Sequence, residues 1–555
     1  MNKIFQIIPA AALALAFGGC SDYLTTESST KIDGNVLLQN TEGLTSVLRS
    51  TYKYFLLGND KESSDSGTGT LDQSGCTYTG IPGYCMYYDL AGADIISTIN
   101  YGGGVEDAYK FQNTRTQASG NASRIWTTMY KTINEANIIL DALPAATGEA
   151  VDKQAIQGQC LAMRGICYFN LIMNYQQTYA IAKDKRGVIL RTSSSDPNSK
   201  GFSTVQQCYD QILSDLKAAK TDLANFKRDD EYEVNADVVS GYLARVYQVM
   251  GDWKNAYAEA SALYQKYPTL MSKEEWYSGF DNLISDGCPE LIWGIKYTSD
   301  TNISSGTEFN YWYNQDPSYG EGMSDGPIYS FLNMLVDSKY VALFDKTDYR
   351  GFRCDKTSGV TDADEKGVVM FWHRTANGDN EIAKRWAYNK FKYYGDANGA
   401  KQGHSYPEFP LMRSSEMLLI AAEAAAHLGN NGQALELLNT LQKARDVSKP
   451  TTSADDLLES IYVERRKELL GEGVTGMYDL LRLQKGLTRY GASDTNPAGH
   501  YPWGLMNLDG YNASEAQPEG TLASNDYRFI CQIPQGEFTS NTAISTSDQN
   551  PFSGQ

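Results

Sequence analysis

The stretch that decides the fold is residues 236–268, ADVVSGYLARVYQVMGDWKNAYAEASALYQKYP. Its first half places apolar or small side chains on one helical face, at Ala236, Ser240, Leu243, Tyr247 and Met250. Gly251 then stands where a glycine ends a helix at a tight turn. Asp252 follows as a typical N-cap of a second helix. The stretch therefore predicts two antiparallel helices joined by a short turn.

A later stretch repeats this spacing. Ala422, Ala425, Gly429 and Ala434 are 3, 4 and 5 residues apart, as are Ala244, Tyr247, Gly251 and Ala256. The small side chains let the two helices approach closely, and Asn431 is the corresponding N-cap candidate. Trp253 and Pro268 fit the tetratricopeptide pattern, whose units of about 34 residues stack into a right-handed superhelix.

Other blocks divide into periodic and irregular ones. Helical periodicity covers residues 122–142, 153–174 and 204–224. The first block carries Ile125, Met129, Ile133 and Ile138, and the second carries Ile156, Cys160, Met163, Cys167 and Leu171. We interpret these stripes as core faces and the two cysteines as buried apolar thiols. Residues 58–120, 294–330 and 485–555 are rich in Gly, Ser, Asn and aromatic residues and indicate long loops with short strands.

These patterns predict a mainly α protein. A tetratricopeptide-like right-handed helical superhelix, with its units within about residues 122–265 and 405–482, supports an irregular loop-rich region with a few short strands. Ligand residues are expected on the loops, since ordered loops on a rigid scaffold are where binding side chains concentrate.

The first residues predict export and a lipid anchor. Lys3 precedes an apolar run that is too short to span a membrane, and Gly18 and Gly19 lead into Cys20. We interpret residues 1–19 as a lipoprotein signal peptide and Cys20 as the lipidated first residue of a mature chain, residues 20–555. Phe17 replaces the usual leucine of such a signal.

Composition narrows the ligand class. The formal net charge of −19 disfavours nucleic acid as a partner. The 38 tyrosines and 8 tryptophans supply amphipathic rings for a core and for stacking platforms.

Several short sequence motifs occur in a fixed order along the chain. They are CSDYL (20–24), NEAN (134–137), LAMRGICYFNL (161–171), PELIW (289–293), LMRSSEMLLIAAE (411–423), ERRKEL (464–469), YDL (478–480), IPQ (533–535) and QNP (549–551). Together they resemble the SusD/RagB family of surface lipoproteins over nearly the whole mature chain. Tyr478, where the family has tryptophan, and the glycine-rich residues 471–476 depart from its pattern.

The resemblance implies a fold, a location and partners. It implies four tetratricopeptide-like units, and a lipid-anchored protein of the outer membrane that faces the cell exterior beside a SusC-like TonB-dependent transporter. Members bind oligosaccharide or polysaccharide, a minority RagB-like branch binds peptides, and none is catalytic. Ligand residues come from the loop before the first helix pair and the loop after Trp293.

Candidate glycan-binding residues are aromatics that no helical stripe explains, because sugar rings stack on aromatic faces and their hydroxyls bond to polar side chains. The densest cluster, FNYWYNQD (309–316), makes Trp312 the first candidate for a stacking platform. The others are Tyr101, Tyr311, Tyr313 and Tyr319 for stacking and Asn302, Asn314 and Asp316 for hydrogen bonds. We interpret Tyr84, Tyr87 and Tyr88 as packing residues.

No catalytic constellation is found in the sequence. The four histidines form no H-E-x-x-H, and no G-x-S-x-G or phosphate-binding loop occurs. Glu464 and Glu468 flank three basic residues and indicate a structural ion-pair network. We therefore expect no enzyme activity, with a peptide-binding RagB-like protein or a surface-anchored glycan hydrolase or adhesin as the alternatives.

No cofactor is expected. Residues 60–72 offer acidic oxygens for calcium, but their spacing fits no calcium-binding motif and indicates a solvated loop. Cys76 and Cys85 flank a Gly- and Tyr-rich loop and could pair in an oxidising compartment, a point that the sequence leaves open.

Overall fold

The computed structural model describes most of the chain. The described residues are 34–57, 80–97, 108–111, 117–118, 120–277, 280, 283–296, 334–351, 368–374, 382–388, 390–391, 408–496, 498–506, 508–512, 514 and 519–551. No helix among them is long and apolar enough to cross a membrane.

Helices dominate the described residues. The first half of the chain contains α1 (Gly34–Leu37), α2 (Thr41–Leu57), α3 (Gly80–Leu90), α4 (Gly120–Ala142), α5 (Ala150–Tyr175), α6 (Tyr179–Ala182), α7 (Val205–Asp222), α8 (Ala236–Met250), α9 (Trp253–Lys266) and α10 (Lys273–Tyr277). The second half contains α11 (Ser338–Val341), α12 (Ser414–His427), α13 (Asn431–Ala444), α14 (Leu457–Leu469), α15 (Met477–Leu483), α16 (Pro502–Leu505) and α17 (Gln535–Ser540).

The long helices form a continuous row. α4 packs on α5, α5 on α7, α7 on α8, α8 on α9, α9 on α12, α12 on α13 and α13 on α14. Each helix therefore buries its apolar stripe against its neighbours, as in a helical-repeat protein. The predicted mainly α architecture with helical repeats is confirmed.

The predicted hairpin turns are largely confirmed. Gly251 has φ 73° and ends α8, and the Asp252 side chain accepts a hydrogen bond from the backbone N–H of Asn255 at the start of α9. Asn431 is not an N-cap, because it is the first residue of α13 and Asn430 holds the cap position.

Two further expectations need correction. Ile138 is only half-buried, and Ile139 occupies the core face of α4 instead. Residues 58–120 are not all loop, since α3 lies within them and nearly all of its residues are buried. α3 shows no apolar stripe in sequence because it is enclosed on every side.

The strands are short and pair in twos. β1 (Ile95–Ser97) pairs with β3 (Met334–Val336), β2 (Leu291–Lys296) with β6 (Glu408–Arg413), β4 (Val368–Arg374) with β5 (Ile382–Tyr388), and β7 (Leu487–Tyr490) with β8 (Glu519–Leu522). All four pairs are antiparallel. β2 and β6 adjoin α8 and α12, so they join the helical row to the strand-bearing part of the chain.

A buried charge cluster fills this junction. Five cations and five carboxylates, each at most 4% exposed, are linked by ion pairs: Arg350, Lys390, Arg413, Arg445 and Lys467 with Glu290, Asp348, Glu464, Glu468 and Glu472. The charges balance, which is what makes their burial tolerable. The predicted structural role of Glu464 and Glu468 is confirmed.

The glycine-rich residues 471–476 hold α3 against the core. The buried Asp89 carboxylate accepts hydrogen bonds from Gly471 N (2.9 Å), Gly473 N (3.3 Å) and Thr475 Oγ1 (2.6 Å). Gly473 has φ 73°, in the left-handed region that favours glycine. A methyl group on Gly473 would lie 2.4 Å from the Cα of Cys85. The glycines of residues 471–476, which depart from the family pattern, therefore allow this loop to approach α3 closely.

Candidate functional site

The β1–β3 ribbon pairs described residues that adjoin, in sequence, the two chain segments predicted to carry ligand residues. Ile95 pairs with Val336 and Ser97 with Met334. Since the strands are antiparallel, Ser97, the last residue of β1, and Met334, the first residue of β3, lie side by side at the same end of the ribbon.

The predicted ligand residues themselves lie outside the described residues. This holds for Tyr101, Asn302, Tyr311, Trp312, Tyr313, Asn314, Asp316 and Tyr319, and also for Cys20, Cys76 and the acidic residues 60–72. They stay predictions. Cys85 is described and has a free thiol.

The base of the ribbon is fixed to α14 by a charged pair. Arg466 donates from Nη2 to Asp94 Oδ1 (2.5 Å) and from Nε to Oδ2 (2.9 Å). Asp337 N donates to the backbone oxygen of Asp94 at 3.0 Å. A two-point pair of this kind fixes direction as well as distance, so the ribbon has a defined orientation on the helical row.

Buried polar contacts also connect the base of the ribbon, at Asp337, to residues near the C-terminus. The Asp337 carboxylate accepts from Lys339 N (2.7 Å) and Asn496 Nδ2 (3.3 Å), and it lies 3.9 Å from His500 Nε2. Burial raises the pKa of Asp337 to about 7. Burial, and next the neighbouring charge of Arg489, lower the pKa of His500 to about 3. The imidazole is therefore neutral at physiological pH.

We expect Asp337→Asn to change the pH dependence of stability. A carboxyl with a raised pKa in the folded state contributes stability that is complete below its unfolded pKa, near 4, and is lost as the pH rises to about 7. Across that window the free energy of unfolding of the wild type should fall relative to that of the variant, by at most about 1.4 kcal/mol per pH unit. Urea unfolding of both proteins between pH 4 and 8 measures this difference. A constant difference would contradict the raised pKa.

The tyrosines of α3 are core residues, as the sequence indicates. Tyr84, Tyr87 and Tyr88 are each at most 4% exposed. Tyr84, Tyr88 and Tyr478 line a partly open cavity of about 40 Å³, which has room for a few water molecules but not for a sugar ring. We therefore exclude this cavity as a glycan site.

Metal-binding chemistry is not evident in the described ranges. Within them no group of three or more His, Cys, Asp or Glu side chains is arranged to hold an ion. The buried cysteines Cys160 and Cys167 are free thiols, and burial raises the pKa of both.

Sequence reasoning missed the groups that support the ribbon. Asp337 directly follows the apolar strand β3, and an acid at such a strand end was the available signal. His500 belongs to no histidine motif, and no sequence pattern distinguishes Arg489. Their partners are mostly backbone carbonyls, which leave no trace in the sequence.

The row of paired helices and the short antiparallel strand pairs beside it define a class of protein, a helical-repeat scaffold that carries small strand ribbons. Comparison with known proteins gives the family. Residues 96–248 match the SusD-like family model described as starch-binding and associating with the outer membrane, and residues 357–552 match the SusD family model. The chain belongs to the SusD-like family of carbohydrate-binding, outer-membrane-associated proteins.

Individual relatives agree with this assignment. The chain is 24% identical over 414 residues to a SusD-like protein of Formosa agariphila, covering 68% of this chain and 75% of the relative. A SusD-like carbohydrate-binding protein of Bacteroides vulgatus has the same fold, with a TM-score of 0.70, 24% identity, and coverage of 93% of this chain and 99% of that one. A laminarin-binding SusD-like protein gives a TM-score of 0.61 at 18% identity, over 92% of this chain and 99% of that one.

Proposed function

We propose that this protein captures an oligosaccharide or polysaccharide at the cell surface and delivers it to a SusC-like TonB-dependent transporter, without catalysis of its own. The lipid anchor would be attached at Cys20, and the chain would face the cell exterior. The proposal extends the family's carbohydrate binding and outer-membrane association to this chain.

The observation that carries the proposal is the β1–β3 register. In it Ser97, the last described residue before Tyr101, pairs with Met334, the first described residue after residues 294–330, although the two are far apart in sequence. A glycan chain is captured by several aromatic and polar contacts along its length, and these must come from segments held at a fixed separation. The laminarin-binding relative of the same fold supports a glycan ligand.

Retardation of the purified protein in native gels containing a panel of polysaccharides tests this proposal. A parallel incubation is assayed for released sugar. We expect retardation by one glycan class and no release. Released sugar would favour the hydrolase alternative. Absence of retardation by every glycan would overturn glycan capture and favour a peptide ligand.

We expect Trp312→Ala to weaken glycan binding by about 1–3 kcal/mol, because an aromatic platform is a typical binding hot spot. Trp253→Ala is a matched control. Trp253 begins α9 and stacks on His427 at the turns of two helical hairpins, and its loss should leave affinity unchanged. Titration of both variants with the retarding glycan measures the effect. Equal affinity of a folded Trp312→Ala variant and the wild type would remove Trp312 from the site.

A further inference from the structure

Arg489, in β7, is a buried cation whose partners are backbone carbonyls. It is 0% exposed. Its guanidinium donates to Gly92 O (2.9 Å), Leu90 O (2.8 Å), Tyr109 O (2.5 Å) and Gly504 O (2.9 Å). These four oxygens come from three separate parts of the chain, which the arginine therefore ties together.

Burying the charged guanidinium of Arg489 costs free energy, which its contacts must offset. Burial lowers the pKa of Arg489 to about 10, so the group is still charged at neutral pH. A charged group taken out of water is unfavourable unless its donors are satisfied. Carbonyl oxygens accept from four of its five N–H groups, and the planar fork of an arginine matches several acceptors at once in a way that lysine does not.

His500 makes a second link between the same parts of the chain. Its Nε2 lies 2.9 Å from Ala93 O, a pure acceptor, so Nε2 carries the proton. Because the imidazole is neutral, Nδ1 accepts, and the Tyr109 hydroxyl donates to it at 2.5 Å. The two rings also stack, with centroids 5.6 Å apart. The hydrogen bonds thus fix both the tautomer and the ring plane.

The two residues together hold the chain on both sides of β1. Leu90, Gly92 and Ala93 precede the strand, and Tyr109 follows it. Arg489 and His500 are themselves joined, since His500 N donates to Tyr490 O at 2.9 Å. We propose that Arg489 and His500 are positioning residues that set the place of β1 and of its partner strand β3, and that the affinity for glycan depends on this placement. This inference rests on the proposed function.

The test compares variants that keep the charge or the ring. Arg489→Lys retains a cation but loses the fork, and His500→Phe retains the stacked ring but loses both hydrogen bonds. Arg164→Lys is the matched control, because Arg164 is a buried arginine of α5 that pairs with Asp215 in the helical row. Amide hydrogen exchange of residues 95–97 and 334–336 and the affinity for laminarin and starch are measured for each variant.

We expect both ribbon variants to exchange faster at these amides and to bind glycan about tenfold more weakly. Arg164→Lys should leave ribbon exchange and affinity near those of the wild type. His500→Gln, whose amide can donate to Ala93 O, should recover most of the affinity lost in His500→Phe.

Three results would overturn the inference while the proposed function stands: unchanged ribbon exchange in both variants, faster exchange with unchanged affinity, or an equal loss of affinity in Arg164→Lys. A wild-type protein that binds neither laminarin, starch nor any other glycan of the panel would instead overturn the proposed function, and with it this role of the two residues.

Discussion

Replacing Arg413 with methionine is expected to lower the free energy of unfolding by about 3–5 kcal/mol. Arg413 is 0% exposed and pairs with Glu290, Glu468 and Glu472 in the buried charge cluster. Without it, five carboxylates would face four cations in a region that water does not reach. Urea unfolding of the variant and the wild type gives the difference.

Two controls show whether charge balance is the cause. Adding Glu472→Gln to Arg413→Met restores the balance, and the double variant should be more stable than the single one. Lys485→Met removes an ion pair in which Lys485 and Glu459 are 38% and 53% exposed, and it should cost at most about 1 kcal/mol. A loss below about 1 kcal/mol for Arg413→Met would contradict the uncompensated-charge argument.

Gly473→Ala is expected to destabilise the protein by about 2–5 kcal/mol, the sum of backbone strain and overpacking. The added methyl group would strike the backbone of Cys85, which cannot move without shifting α3. A displaced loop would also weaken the hydrogen bond from Gly473 N to Asp89. Thermal and urea unfolding measure the loss.

The variant Gly429→Ala separates the effect of backbone strain from that of the steric clash. Gly429 has φ 78°, close to that of Gly473, but a methyl group there meets nothing within 4 Å. This variant should lose only about 1–2 kcal/mol, the strain of a left-handed residue. Equal losses in the two variants would mean that the contact with Cys85 contributes nothing.

The helices that could be predicted from the sequence are those with one buried face. The apolar stripe of residues 236–250 and the glycine that follows it predict a helix with the bounds that α8 has in the structure. The sequence does not predict helix α3, because it lacks a single buried face. Its residues 80–90 are buried on all sides, so no period separates an inner from an outer face.

The candidate site could be predicted only in outline. The aromatic clusters and the family resemblance indicate which segments meet a ligand. The groups that support those segments follow from tertiary contacts. Arg466 lies in the basic run that Glu464 and Glu468 flank. Its partner is nevertheless Asp94, which is distant in sequence. Charge patterns along one helix do not reveal such pairs.

The β1–β3 ribbon also has a consequence for the order in which the molecule folds. Each helical hairpin closes between residues near one another in the chain, which is a fast local event. The pairing of Ile95 with Val336 must instead await the closure of a long loop, and non-local pairing of this kind slows folding. The local helical hairpins can thus form before the β1–β3 ribbon exists. The ribbon would then be completed among the last steps of folding, and a chain stopped earlier would contain helical hairpins without paired β1 and β3 strands.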